Sequence, residues 1–347
     1  MISISLCMIV KNEEAVLERC LSSFKPLVDE MVIVDTGSID STKKIAAHYT
    51  NRIFDFEWTG DFSEARNFAF SKCTCEYIYS ADADEFIDEE NAAEFLALKK
   101  AMEPEVELVQ MWYVNRHPYR TTDNYERDLR PKLYKRLRSF VWIDPVHESV
   151  RLDPVVFDSD IEIIHMPGQI HAGRDFSIFL KSLASGESLS PKLMHMYSME
   201  LFMAGSSGDF YAAAPYFEAM IGDPSTTEDM RMDAYCVLAH CARIRRNTNA
   251  FFKWCLKNIS IKPCAEICCE LGHYYFDAGD TEEASVWFIN ALEETDAILI
   301  ADAARRTPLD MLAHCYERLA AEHPEIKDVC LKMAVDYKAK LSEALKS

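Results

Sequence analysis

Residues 31–42, MVIVDTGSIDST, decide the fold of the first half of this chain. The first four residues are apolar and partly β-branched, and the run ends on Asp35, which is typical of a buried strand that meets a polar turn. After the turn, Asp40 or Ser41 is suited to cap a helix that we expect to reach about Tyr49. The segment therefore predicts a strand, a tight turn and a helix in direct succession.

Strands and helices alternate on both sides of this segment. The hydrophobic periodicity predicts strands at 2–10, 52–56 and 77–81 and helices at 13–24 and 62–71. Alternating elements with short links form right-handed crossovers and a parallel sheet, whose ligands bind beyond the carboxyl ends of the strands. Further strands, expected to be less regular and partly antiparallel, are predicted at 108–114, 132–136, 140–142 and 161–165. The pattern predicts a Rossmann-like α/β fold with a mostly parallel sheet.

From about residue 176 the alternation ends and pairs of helices follow. The segment 269–292 has the spacing of a helix, a Gly279-Asp280 turn and a second helix, with Gly272 at a close-packing position. This spacing resembles a tetratricopeptide repeat (TPR). Looser pairs are predicted at 196–220 and at 309–319 with 326–345. An irregular helical bundle is the alternative interpretation.

These patterns predict two domains, since 347 residues exceed the size at which a single core stops growing. We expect an α/β domain over residues 1–175 and an all-α, TPR-like helical-repeat domain over residues 176–347. Stacked helical repeats present a concave face that binds peptides or other subunits. The second domain is therefore a candidate surface for a peptide partner or for a homodimer.

Composition excludes several classes of function. With 37 basic and 57 acidic residues the net charge is −20, which argues against binding to nucleic acid or to an anionic membrane surface. No run of about 20 apolar residues predicts a membrane span. The apolar segment 1–10 runs directly into Lys11 and reads as a strand, not as a signal peptide. Twelve cysteines are too few for a disulfide scaffold, so we expect reduced thiols and a cytoplasmic location.

Two carboxylates follow the strand predicted at 77–81. Asp82 and Asp84 are one residue apart, so in an extended segment they point to opposite sides and serve different purposes. Hard oxygen ligands suit Mg²⁺ or Mn²⁺, which keep coordination positions for substrate phosphates. An isolated Asp-x-Asp sequence is more often a solvated turn, but its position at the end of a predicted strand favours a metal site.

Four ordered motifs resemble the family 2 glycosyltransferases of the GT-A fold. They are LCMIVKNEE at 6–14, VDTGSIDST at 34–42, DFSEARN at 61–67 and DADE at 82–85. The resemblance is strongest to a bacterial branch that joins the catalytic domain to a TPR-like tail and includes peptide and protein glycosyltransferases. It implies transfer of a hexose from a nucleotide sugar, UDP-glucose or UDP-N-acetylglucosamine, with inversion at the anomeric carbon.

The resemblance also implies roles for residues around the donor. Asp35 would meet the base or ribose, and Asp61 would hold Arg66 or meet the base directly. Asp40 has two interpretations, a donor contact or a helix cap. The residues implied to bind the nucleotide sugar are Val10, Lys11, Asn12, Asp35, Asp61, Arg66, Asn67 and Asp82.

The same resemblance implies a Mn²⁺ or Mg²⁺ ion and a general base. Asp84 is the expected metal ligand, with Asp82 assisting through the metal or the ribose. His165 is the candidate third ligand, and a hydrogen-bonded structural histidine is the alternative reading. The segment from Trp142 to His147-Glu148 resembles the family's Trp-to-His-Glu segment, which carries the candidate base. Whether Glu148 or His147 takes the proton stays open.

A local basic cluster spans Arg127 to Arg138 in this otherwise acidic chain. It has six basic residues, with Asp128 the sole acid. On an extended strand part of this cluster faces one side, where it could meet donor phosphates or an anionic acceptor. The alternative is a solvated face paired with surrounding acids.

Three functions compete at this point. The leading hypothesis is a glycosyltransferase acting on a peptide or protein. The second changes the acceptor to a lipopolysaccharide or another cell-envelope glycan. The third is a non-catalytic helical-repeat scaffold, against which the Asp82/Asp84 pair and Arg66 argue.

Overall fold

The structure is a computed structural model that describes residues 1–115, 127–146, 149–150, 154–166, 172–184 and 189–345. The chain divides into two compact units. One lies within residues 1–171, and the other is formed mainly by residues from 172 onward.

The first unit alternates strands and helices as the periodicity predicts. Its strands are β1 (Ile4–Val10), β2 (Glu30–Asp35), β3 (Ile53–Asp55), β4 (Tyr77–Ala81), β5 (Glu85–Phe86), β6 (Leu108–Asn115), β7 (Arg127–Lys135), β8 (Trp142–Ile143), β9 (Ser149–Val150) and β10 (Val156–His165). Its helices are α1 (Leu17–Phe24), α2 (Thr42–Ala47), α3 (Phe62–Lys72) and α4 (Glu89–Ala101).

Helix α1 starts later than the prediction of 13–24. Glu13 N donates to Thr42 Oγ1 at 2.7 Å, and Glu14 N donates to Asp40 Oδ2 at 3.2 Å. The backbone at this point is therefore tied to the loop after β2 and enters the helix only at Leu17.

Among the described residues, eight strands form one sheet in the order β3-β2-β1-β4-β7-β6-β10-β5. Strands β3, β2, β1 and β4 run parallel, as do β6 and β10, whereas β7 is antiparallel to both of its neighbours. The expected mixture of a parallel core and less regular outer strands is confirmed. The carboxyl ends of β1, β2, β4, β6 and β10 all meet at one edge of the sheet, and the amino-terminal half of β7 returns to that edge.

The sheet is covered on both faces. Alternate residues of β1 face opposite sides, so that Leu6 and Met8 pack with α1 and α4 while Cys7 packs with α3. On the face that α1 and α4 cover, the rings of Phe24 and Tyr79 pack against each other, with centroids 4.7 Å apart. Burial on both faces explains why the central strands read as continuous apolar runs.

The second unit is helical in its described part. Its helices are α5 (Ala172–Ala184), α6 (Pro191–Ala204), α7 (Ser207–Ile221), α8 (Glu228–Ile244), α9 (Thr248–Ile259), α10 (Ala265–Ala278), α11 (Thr281–Ile289), α12 (Arg306–Glu322) and α13 (Lys327–Ala344). The three predicted pairs correspond to α6/α7, α10/α11 and α12/α13. The pair α8/α9 was not predicted.

Helices one pair apart also touch, as expected of stacked repeats: α6 contacts α8, α8 contacts α10 and α10 contacts α12. The predicted fold class, a mostly parallel α/β sheet followed by a helical-repeat domain, is confirmed. No described helix combines the length and the apolar character needed to cross a bilayer.

Gly272 is required by the contact between α10 and α11. A Cβ atom there would lie 2.7 Å from two atoms of the Phe288 ring. We expect Gly272→Ala to destabilise the protein by about 1–3 kcal/mol, because overpacking outweighs the gain in helix propensity. The apparent Tm, followed by circular dichroism, should fall by several degrees.

Gly208→Ala is the matched control. It also lies in a helix, but its added Cβ would meet only Ser206 Oγ, at 3.5 Å. We expect Gly208→Ala to leave Tm unchanged or to raise it. Equal melting of the two variants would contradict the proposed packing.

Candidate active site at the carboxyl edge of the sheet

The loops after β1 and β2 are joined by hydrogen bonds at the edge of the sheet where the carboxyl ends of the parallel strands meet. Asn12 adopts a left-handed conformation with φ of 56°, and its backbone N–H donates to Ser38 Oγ at 2.9 Å. In return, Ile39 N donates to Asn12 Oδ1 at 2.9 Å. Val10 is buried at the end of β1, whereas Lys11 is exposed at the rim. Asn12 thus joins the two loops, and Lys11 remains accessible to a ligand.

Asp35 is buried at the end of β2. Its Oδ1 accepts hydrogen bonds from Gly37 N and Ser38 N, both at 3.0 Å. Gly37 has a φ of 102°, which favours glycine in this turn. Asp35 Oδ2 is buried and has no hydrogen-bond partner among the described residues. A buried carboxylate oxygen with unused acceptor capacity fits a ligand hydroxyl or N–H at this position.

Asp40 acts locally. Its Oδ1 accepts from Thr42 N at 2.9 Å at the start of α2, and Oδ2 accepts from Glu14 N. These bonds hold the pKa of Asp40 below its ordinary value although partial burial opposes them. Ser41 is the N-cap residue of α2 and its side chain makes no capping hydrogen bond, so Asp40 takes over this function at the first N–H of the helix.

Arg66 on α3 reaches the end of β4. Its Nη2 donates to Asp82 Oδ1 at 2.9 Å, and its Nη1 donates to Ser80 Oγ at 3.0 Å. The guanidinium also lies 5.1 Å from the centroid of the Trp142 ring. Burial favours the protonated form of Asp82, but the charges of Arg66 and Lys132 outweigh it and hold the pKa of Asp82 well below its ordinary value. Asp82 is therefore an ion-paired carboxylate.

Asp84 faces a different partner. Its Oδ2 lies 3.0 Å from His165 Nε2, and both side chains are about one-fifth exposed. The register of β5 on β10 pairs Glu85 with His165, and Met166 N donates to Asp84 O at 3.0 Å. Tyr113 stacks on the His165 ring with centroids 5.0 Å apart. One carboxylate and one imidazole thus converge at a solvent-accessible point, and the metal-ligand role of this pair stays a prediction.

Sequence reasoning did not single out two buried side chains of this edge, Glu85 and Lys132. Glu85 is fully buried and hydrogen-bonds to Lys132, whose Nζ also lies 3.9 Å from Asp82 Oδ2. Burial raises the pKa of Glu85 to about 7, with the neighbouring aspartates adding to the effect and Lys132 opposing it. In the segment 132–135 two apolar residues stand between two lysines, so no local pattern marks Lys132 as the buried one.

The rest of the basic cluster pairs mainly with acids at the surface. Arg127 contacts Glu162 at 3.1 Å, Arg130 contacts Asp128 at 2.9 Å and Arg138 contacts Glu107 at 3.0 Å. For these members the structure agrees with the interpretation of a solvated, ion-paired face. Lys132 is the member that is buried against the candidate site.

Helix α3 anchors the β8–β9 hairpin. Asn67 Nδ2 donates to Trp142 O at 3.0 Å, and Trp142 N donates to Asn67 Oδ1 at 2.8 Å. Phe62 N adds a bond to Pro145 O at 2.9 Å. Asn67 was predicted to contact the nucleotide, but in this structure its amide holds the hairpin.

Asp61 caps α3. Its Oδ1 accepts from Ser63 N at 2.7 Å and from Glu64 N at 3.3 Å. The candidate bases His147 and Glu148 lie outside the described residues, between Val146 and Ser149.

The fold and this edge define a class of protein: an α/β domain with an acidic, cation-suited site at the carboxyl ends of parallel strands. Residues 5–151 match the family model described as Glycosyl transferase family 2. The chain therefore carries a family 2 glycosyltransferase domain, and the expected GT-A fold class is confirmed.

Several known proteins resemble parts of the chain. The SPbeta prophage-derived glycosyltransferase SunS of Bacillus subtilis is 32% identical over 103 residues, 29% of this chain and 24% of SunS. A TPR repeat-containing protein of Synechococcus elongatus is 46% identical over 85 residues, 24% of this chain and 21% of that protein. These two agree with the expected branch that combines such a domain with TPR-like helices.

Among solved structures, glucosyl-3-phosphoglycerate synthase of Mycobacterium tuberculosis superposes with a TM-score of 0.39 and 15% identity, covering 55% of this chain and 82% of that one. The chain spans about half or less of the length of the curated relatives that it matches.

The anchoring of the hairpin by Asn67 can be tested by substitution. Asn67→Ala removes two hydrogen bonds to the backbone of Trp142, which we expect to cost about 1–3 kcal/mol in local stability. Hydrogen–deuterium exchange of peptides that cover residues 140–150 should accelerate. Glu64→Ala, at an exposed position of the same helix, is the control and should leave this exchange unchanged. If Asn67→Ala exchanges at the wild-type rate, the hairpin does not depend on this contact.

Proposed function

We propose that this protein is an inverting, metal-dependent glycosyltransferase that moves a hexose from a UDP-sugar, UDP-glucose or UDP-N-acetylglucosamine, to a peptide or protein. The observation that carries the proposal is the convergence of Asp84 and His165 beside the Arg66–Asp82 ion pair. A cation ligand pair and a phosphate-binding guanidinium stand side by side at the edge where ligands of such sheets bind.

Asp84 and His165 would hold Mn²⁺ or Mg²⁺. Their carboxylate oxygen and imidazole nitrogen already converge to 3.0 Å, and a mixed oxygen and nitrogen donor set suits Mn²⁺ in particular. When bound, the cation would neutralise charge on the departing nucleoside diphosphate. Asp82, predicted as a second ligand, is better placed as the partner that orients Arg66.

The same edge of the sheet carries the groups that we propose bind the donor. Asp35 Oδ2 is the acceptor for a ribose hydroxyl or a base N–H, with Val10, Lys11 and Asn12 forming the adjoining wall. Arg66 matches the geometry of diphosphate oxygens, and its contacts with Ser80 and Trp142 fix its orientation before the donor arrives.

An inverting enzyme needs a general base for the acceptor proton. We assign this role to the pair His147-Glu148, which directly precedes β9 in the chain. One of the two residues would take the proton and the other would orient the acceptor. Because Asn67 and Phe62 bind the hairpin to α3, its position is coupled to the helix that carries Arg66.

The acceptor is proposed to be a peptide or protein because the second unit is a helical array of the kind that binds extended chains. Transfer of labelled sugar to a peptide library, compared with lipopolysaccharide and lipid-linked glycans, tests this assignment. Labelling of the glycans alone would contradict it. A cytoplasmic location is proposed because all twelve cysteines are free thiols.

Removal of the metal ligand gives the central prediction. In wild type, a nucleotide sugar should raise the melting temperature only with Mn²⁺ present, because a ligand that binds the native state stabilises it by mass action. Asp84→Ala should lose this shift and lower transfer or donor hydrolysis by at least about 100-fold while remaining folded.

Glu90→Gln is the matched control, since Glu90 is an exposed carboxylate a few residues further along the chain. It should retain both the thermal shift and the activity. The metal assignment fails if Asp84→Ala retains them too, and the donor assignment fails if no nucleotide sugar shifts the melting of wild type with Mn²⁺ present.

A further inference from the structure

A buried ion pair joins β7 to the segment that carries the candidate metal ligand. Lys132 is 5% exposed and Glu85 is not exposed at all, and Lys132 Nζ donates to Glu85 Oε1. The second oxygen, Glu85 Oε2, has no hydrogen-bond partner among the described residues. An unpaired buried charge is strongly unfavourable, so Glu85 depends on Lys132 for a cationic partner, while Lys132 also lies 3.9 Å from Asp82.

The backbone of Glu85 is equally constrained. Strand β5 consists of two residues, and its register on β10 sets Glu85 against His165 and Phe86 against Ile164. Asp84 precedes Glu85 directly, and its carbonyl accepts from Met166 N at 3.0 Å. The pairing of β5 with β10 therefore brings the backbone of Asp84 and Glu85 level with His165.

Lys132 belongs to an interior strand of the sheet. Strand β7 lies between β4 and β6, and the pairing of Leu133 with Tyr79 sets Lys132 level with the end of β4. Arg127 and Arg130 of the same strand are 46% and 38% exposed and pair with surface acids. Arg130 and Lys132 both lie over the Tyr113 ring, so Lys132 is distinguished from Arg127 and Arg130 by its burial and by its contact with Glu85.

We infer that Lys132 is a positioning residue of the metal site: through Glu85 it aligns Asp84 with His165 for a divalent cation. The inference rests on the proposed function, because it assumes that Asp84 and His165 bind the cation. The competing role for a lysine here is a direct contact with the donor diphosphate, and the two roles predict different behaviour of paired substitutions.

The test measures Mn²⁺ binding to the full-length protein without nucleotide, by titration of the electron paramagnetic resonance signal of free Mn²⁺. Lys132→Met leaves Glu85 without a cation and should weaken Mn²⁺ binding at least tenfold. Glu85→Gln leaves Lys132 with its longer contact to Asp82, at 3.9 Å, and should weaken Mn²⁺ binding as well. The double variant removes both charges and should bind Mn²⁺ within threefold of wild type.

Recovery in the double variant supports the positioning role. Wild-type or tighter Mn²⁺ binding by Lys132→Met, or no recovery in the double variant, overturns it. Weaker UDP binding by Lys132→Met with unchanged Mn²⁺ binding overturns it in favour of a phosphate contact. If Lys132→Met does not fold, Glu85→Gln and the double variant carry the test, and equal Mn²⁺ affinities of these two overturn the inference.

Asp84→Ala separates this inference from the proposed function. If Asp84→Ala binds Mn²⁺ like wild type, the proposed metal site is wrong. If Asp84→Ala loses Mn²⁺ while Lys132→Met retains it, the metal site stands and the inference for Lys132 alone is overturned.

Discussion

Charge compensation at the carboxyl edge of the sheet is the constraint on which the rest of the α/β unit depends. Asp82, Asp84 and Glu85 lie within four residues of sequence in a protein whose net charge is already −20. Each faces a different nitrogen-bearing side chain from a different element: Arg66 of α3, His165 of β10 and Lys132 of β7. Bringing three carboxylates into a half-buried loop is tolerable only because three separate elements contribute these partners.

This arrangement also explains how an acidic protein can bind an anionic donor. The overall field repels a diphosphate, so attraction has to come from groups within a few ångströms. Arg66 is such a group, and a cation held by Asp84 and His165 would be another. The surface members of the basic cluster are largely neutralised by Glu162, Asp128 and Glu107. The positive charge that matters is therefore local.

Much of this organisation could be predicted from residues 31–42 and the alternation around them. Buried parallel strands require continuous apolar runs, and their polar ends must share one edge, so Asp35, Asp82 and Asp84 were identifiable without coordinates. The pair α8/α9 was not predicted because the connection between these helices, residues 245–247, contains no glycine to mark a turn. The connection between α10 and α11 is marked by Gly279. Asn67 could be identified as important but not as the anchor of Trp142, because the two are 75 residues apart.

The sequence by itself determined which segments become strands and helices, because hydrophobic periodicity and turn chemistry act over a few neighbouring residues. It also indicated a candidate metal carboxylate through its position at a strand end, and a candidate histidine through the family resemblance. Only the tertiary structure decided which partner each acid receives. That choice depends on strand order: β7 enters antiparallel between β4 and β6, and this insertion carries Lys132 to Glu85 across 47 residues of chain. A contact set by the order of non-adjacent strands has no local signature, so no reading of neighbouring residues could reveal it.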